Sequence, residues 1–109
     1  MKNVREMLNK KGKTVWVVSP SLTVLDALKL MADKDIGALL VVDNDELIGI
    51  ISERDYARKV VLQGKSSKDA LVKDIMTPNV LCVTPQSTTE ECMAIMTSKK
   101  IRHLPVYDD

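Results

Sequence analysis

Phenylalanine is absent from this 109-residue chain, and one Trp and two Tyr are its only aromatics. The core must therefore be built from Val, Ile, Leu, Ala and Met. His103 is the only histidine. The two cysteines, Cys82 and Cys92, lack metal-ligand spacing and sit in apolar periodic runs, where buried reduced thiols are expected. Without a nucleophile–base pairing, a metal set or a carboxylate pair marked by spacing, no enzyme and no catalytic residue are expected. Charge of one sign is lacking too. The net charge is +1 and the Lys and Arg residues are scattered, which gives no footprint for nucleic acid or an anionic membrane. No apolar run approaches a membrane span, and Met1–Glu6 lacks the features of a secretory signal. A soluble, cytoplasmic protein is expected.

The chain does contain a copy of itself. Val15-Trp16-Val17-Val18-Ser19-Pro20 overlays Val80-Leu81-Cys82-Val83-Thr84-Pro85 at an offset of 65 residues, and the match continues without a gap. Thr23 falls on Thr88, Met31 on Met96, Lys34 on Lys99, Ile36 on Ile101, Leu39 on Leu104, Val41 on Val106 and Asp43 on Asp108. Upstream, Val4–Leu8 resembles Val72–Met76 after a shift of three residues.

The first copy reads as strand, helix, strand, strand, helix. Val15–Val18 is a β-branched strand stopped by Pro20, and Val80–Val83 repeats it before Pro85. Thr23-x-x-Asp26 and Thr88-x-x-Glu91 open helices as capping boxes. The apolar stripe Val24, Ala27, Leu28, Met31 recurs as Cys92, Ile95, Met96, which predicts core positions on both helices. Ala38–Val42 and Leu47–Ile51 form a hairpin about Asp43-Asn44-Asp45-Glu46, and a helix from about Glu53 to Leu62 stops at Gly64. Gly64–Lys68 is a polar linker, and a short connecting helix is expected over Asp69–Met76. The fold class is α+β, of α/β-like character, with repeats at 1–65 and 66–109. A unit this small cannot bury both faces of its sheet, so the two should pack together. The second copy stops where the first has reached its hairpin turn, so the chain is read as a truncated or partly ordered product.

Gly49-Ile-Ile-Ser-Glu-Arg-Asp55 carries the candidate chemistry. A strand enters a helix start, where free N–H groups and the dipole suit an anion. Ser52 adds a hydroxyl, Arg54 a fork of phosphate donors, and Asp55 an acceptor for two sugar hydroxyls. Gly49 would admit a close neighbour to the strand. The same residues also spell a variant capping box, with Ser52 as N-cap and Asp55 at N3.

These pieces, in this order and twice over, resemble a CBS-domain pair, also called a Bateman module. The marks are the two strand-Pro elements, Asp35–Asp43, Leu47–Asp55, Asp74–Thr77 and Ile101–Val106. The resemblance implies tandem repeats, each a small three-stranded sheet with two helices, related by a pseudo-twofold axis that leaves two clefts. It implies an adenosine-containing ligand such as AMP, ADP, ATP, S-adenosylmethionine or NAD. The family's ribose-phosphate motif falls on Gly49, Ser52 and Asp55. Family geometry adds Val80 and Leu81 against the base, with Arg102, His103 and Pro105 near the phosphates. Val15, Trp16, Gly37 and Ala38 would line a second cleft, in which Gly37 and Ala38 replace the basic pair. The function implied is a regulatory sensor, with no metal, that couples occupancy to shape or assembly. It would form a homodimer, face to face as is common in the family, and act on a regulated protein. The alternative is a dimerisation or protein-interaction module that needs no ligand.

Overall fold

A computed structural model of the chain describes residues 2–11 and 15–107. Its elements fall into two compact units, Val15–Val80 and a second made of Met1–Thr14 with Leu81–Asp109. The sequence reading divides the chain at 65/66. The contacts instead assign the short helix ahead of each repeat crosswise: the linker helix belongs with the first repeat and the leading helix with the second.

In the unit Val15–Val80, β1 (Val17–Val18) pairs in parallel with β2 (Ala38–Asp43), and β2 pairs antiparallel with β3 (Glu46–Ser52). The parallel pairing requires a crossover, supplied by α2 (Val24–Lys34). Thr23 starts that helix by accepting the Asp26 N–H, and Asp35 ends it in the left-handed region at φ 53°. Asn44 and Asp45 turn the hairpin, both at positive φ, a conformation that Asn and Asp adopt more readily than other side chains. A bulge between Val41 and Val42 separates the Val41–Gly49 pair from Val42–Leu47. Strand alternation then turns Leu39, Val41 and Ile51 inward against Val24, Ala27 and Met31 of α2. Val60, Val72 and Ile75 complete this core. Each fully buried aliphatic side chain contributes about 1.5–3 kcal/mol.

The helix after β3 begins as α3 (Glu53–Tyr56), widens to a π-helical turn over Ala57–Val61, and is capped at Leu62 rather than at the expected Gly64, which lies two residues farther on at φ 67°. The expected plain helix is thus a wider one at its C-terminal half. The connecting helix α4 is shorter than expected, Val72–Ile75.

The second unit contains α1 (Val4–Lys11) and α5 (Thr89–Lys99) and repeats the joints of the first. Thr88 caps α5 through the Glu91 N–H, and Lys100 ends it at φ 56°. The isolated bridge Val83–Val106 is parallel, as is its repeat-mate Val18–Val41. Leading residues dock in the same way in both units. Val72 N–H donates to Leu22 C=O and Lys73 N–H to Pro20 C=O; Val4 N–H donates to Ser87 C=O and Arg5 N–H to Pro85 C=O.

Three expectations fail here. Val80–Val83 is not a strand beyond that one bridge, Cys82 is exposed, and no residue of α5 is buried: Cys92, Ile95 and Met96 are half-covered. The reason is coverage. In the first unit β3, the π-helical turn and α4 close over α2, whereas among the described residues no return strand follows Val106. Partial burial and then the Glu91 carboxylate push the Cys92 thiol above its ordinary range. Asp108, the expected mate of Asp43, lies outside the described residues. No helix among the described residues is long and apolar enough to cross a membrane.

Candidate functional site

The Gly49–Asp55 stretch lies wholly within the unit Val15–Val80. Ser52 is both the last residue of β3 and the N-cap of α3, and its extended backbone (φ −130°, ψ 165°) turns the chain into the helix. The capping box is complete. Asp55 N–H donates to Ser52 Oγ at 3.2 Å, and Ser52 N–H donates to Asp55 Oδ2 at 3.0 Å. Ser52 Oγ–H also donates to Oδ2, at 3.1 Å.

Asp55 is 8% exposed, the one buried charged residue among those described. Its other oxygen, Oδ1, accepts from Thr77 Oγ1–H at 3.1 Å and faces Lys59 Nζ at 3.0 Å. Lys59 Nζ also donates to the Ile75 carbonyl at 2.9 Å, so one ammonium ties the carboxylate to the end of α4. A carboxylate in so covered a place is tolerated because its oxygens are paired.

Gly49 is buried, and the neighbour it admits is the chain's own linker. A Cβ at this position would lie 2.7 Å from Met76 Sδ and 3.1 Å from the Thr77 carbonyl oxygen. Thr77 and Ile50 exchange both backbone hydrogen bonds, at 3.0 and 2.8 Å, so the linker runs as a short fourth line beside β3.

The helix start is less open to an anion than the sequence suggested. Glu53 N–H donates to the Gly37 carbonyl at 3.1 Å, while the Ser52 and Asp55 amides are held inside the capping box. Three amides that were expected to be free are therefore spent within the protein. Arg54 is half-buried in the first turn.

The other expected site residues are distributed as follows. Val80 ends the first unit, half-buried. Leu81, Arg102 and His103 are exposed in the second unit, and half-buried Pro105 accepts the Val83 N–H through its carbonyl. Val15 and Trp16 are exposed, with Lys34 Nζ 4.4 Å from the Trp16 ring centroid. Gly37 and Ala38 lie beside the capping box, with Ala38 paired to Ser52. Among the described residues no cluster of His, Cys, Asp or Glu is arranged to hold a metal ion.

Lys59 and Thr77 are the residues that sequence reasoning missed. Each carried a signal: Lys59 stands four residues after Asp55 on a helix, the spacing of an ion pair, and Thr77 closes the Asp74–Thr77 mark.

Residues 4–62 and 72–109 match the CBS domain family. A solved protein with CBS domains from Burkholderia ambifaria is 53% identical, with a TM-score of 0.93 over 98% of this chain and 81% of that one. A mitochondrial CBS domain-containing protein of Arabidopsis thaliana is 41% identical over 116 residues, which cover 97% of this chain and 56% of that protein. This chain therefore spans little more than half the length of that relative. The CBS domain pair of protein MJ0100, solved in complex with methylthioadenosine and S-adenosyl-L-methionine, is 27% identical, with a TM-score of 0.86 over 99% of this chain and 82% of that one. CBS pairs are regulatory, ligand-binding modules. Two family matches along one chain, the joints shared by its two units and these relatives together lead to one conclusion: the chain belongs to the CBS domain family, as a pair of tandem CBS repeats.

Proposed function

We propose that the chain is a regulatory module, without catalysis of its own, that binds an adenosine-containing ligand and converts occupancy into a change of shape or assembly. The observation that carries this reading is Asp55, a carboxylate 8% exposed and oriented by Ser52, in a family with a member solved on methylthioadenosine and S-adenosyl-L-methionine. A ribose diol suits a carboxylate oriented in this way, because its two hydroxyls donate to carboxylate lone pairs. In this reading Gly49, Ser52, Arg54 and Asp55 serve the sugar and phosphate end. Val80 and Leu81 serve the base, and Arg102, His103 and Pro105 serve the phosphates. AMP, ADP, ATP, NAD and S-adenosylmethionine are the candidates.

Thermal melts with each of these compounds, with uridine monophosphate as control, test the reading. A ligand at about 100 times its Kd stabilises the fold by about 2.7 kcal/mol, a shift easily read in a domain of this size. At least one adenosine compound should raise the melting temperature while the uridine control does not; equal melts throughout would sink the proposal.

A second reading, a dimerisation module that needs no ligand, is favoured by α5, which buries no residue and leaves Met93 67% exposed. Apolar surface of this kind is covered by association. Light scattering at micromolar concentration should then give a dimer mass with and without ligand, and a monodisperse monomer would exclude this reading.

A further inference from the structure

The arrangement about Asp55 bears on how the proposed site is regulated, and this inference rests on the reading of Asp55 as a ribose acceptor. An ionised carboxylate has about four lone-pair directions. All are in use: Ser52 N–H and Oγ–H meet Oδ2, while Thr77 Oγ1–H and Lys59 Nζ meet Oδ1. The Ser52 pair belongs to the cap and starts the helix. The Oδ1 pair comes from farther along the chain and is the pair a sugar diol must displace.

Lys59 is well suited to leave. Its side chain is 40% exposed on a flexible stem, and it sits in the π-helical turn Ala57–Val61, a departure from α-geometry that recurs at functional sites. Both displaced groups hold the same short segment. Thr77 is in it, and Ile75 receives its second tie through Lys59. That segment is otherwise held to β3 by the Ile50–Thr77 exchange, and it leads to Val80, where the unit ends.

We infer that Lys59 and Thr77 form a latch closed on Asp55, and that a ribose diol opens it and loosens residues 75–77. The contact is autoinhibitory: ligand and latch compete for Oδ1. The ligand binds the open form, so by linkage anything that weakens the latch tightens binding.

AMP is a suitable probe, titrated by calorimetry into the parent chain, Lys59→Met, Thr77→Val, Thr77→Ser and Asp55→Ala. Amide exchange at Ile50 and Thr77 is followed with and without AMP. Lys59→Met and Thr77→Val should each bind AMP about three- to fivefold more tightly than the parent. Thr77→Ser, which keeps the hydroxyl, should match the parent. In the parent, AMP should speed exchange at both amides, a readout independent of whether any variant folds. If AMP binds the parent and Asp55→Ala equally, the ribose-acceptor reading falls and takes the latch with it. If Asp55→Ala loses AMP but Lys59→Met and Thr77→Val bind no tighter, or AMP slows exchange at the two amides, the latch alone falls.

Discussion

Asp55→Ala is expected to abolish adenosine-nucleotide binding and also to lower the melting temperature. The two effects have separate causes. Two charge-assisted hydrogen bonds to ribose hydroxyls are worth about 1.5–3 kcal/mol each, so losing them lowers affinity by at least roughly tenfold. The stability loss comes from the protein's own contacts. The Ser52 N–H loses its cap acceptor, and Thr77 Oγ1–H and Lys59 Nζ lose Oδ1. Capping contributes about 1 kcal/mol, and the hydrogen bond from Thr77 adds a similar amount. The Lys59 pair is discounted because that side chain is 40% exposed. A total of about 2–3 kcal/mol corresponds to a melting temperature lower by roughly 10 °C. Glu53→Ala is the control, since Glu53 is exposed in the same first turn and makes none of these contacts. Calorimetry and a melt on one preparation separate the two roles. Should Asp55→Ala melt earlier yet bind nucleotide as tightly as the parent, Asp55 is a helix cap and the sensor reading is lost.

Gly49→Val is expected to be the most destabilising single change in the unit Val15–Val80. An added Cβ would meet Met76 Sδ at 2.7 Å, and a flexible methionine can swing aside. The Thr77 carbonyl at 3.1 Å is different, because it is backbone pinned to β3 by its exchange with Ile50. Alanine therefore costs about 1–2 kcal/mol through a slight separation of linker from strand. The branched side chain of valine adds a clash that costs about 3 kcal/mol or more. Gly64→Ala calibrates the series. Nothing lies within 4 Å of its would-be Cβ, so only the positive φ of 67° is penalised, at about 1 kcal/mol. Urea unfolding should rank the midpoints as parent, Gly64→Ala, then Gly49→Val. A Gly49→Val midpoint at or above that of Gly64→Ala would mean that the linker does not depend on this contact.

Much of the architecture is legible residue by residue. The caps at Thr23 and Thr88 and the Asn44-Asp45 turn depend on neighbours within a few positions. The capping box of Ser52 and Asp55 was readable for the same reason. Helix α5 is different. Its stripe matches that of α2, but a stripe shows which face is apolar and not whether anything covers it.

The sequence by itself determined that two copies of one unit are present at an offset of 65 residues, and that Thr23, Ser52 and Thr88 cap the helices that follow them. These follow from local chemistry and from self-comparison, which need no knowledge of distant contacts. Only the tertiary structure decided that each leading helix joins the other repeat, that Gly49 makes room for Met76 and Thr77, and that Lys59 and Thr77 occupy the second oxygen of Asp55. Thr77 lies 22 residues from Asp55 along the chain, and the Ile75 carbonyl lies 16 from Lys59. Hydrogen bonds over such separations form only once the core of Leu39, Ile51, Val60, Val72 and Ile75 has brought the linker back to β3, and hydrophobic burial is non-directional, so no short motif encodes them.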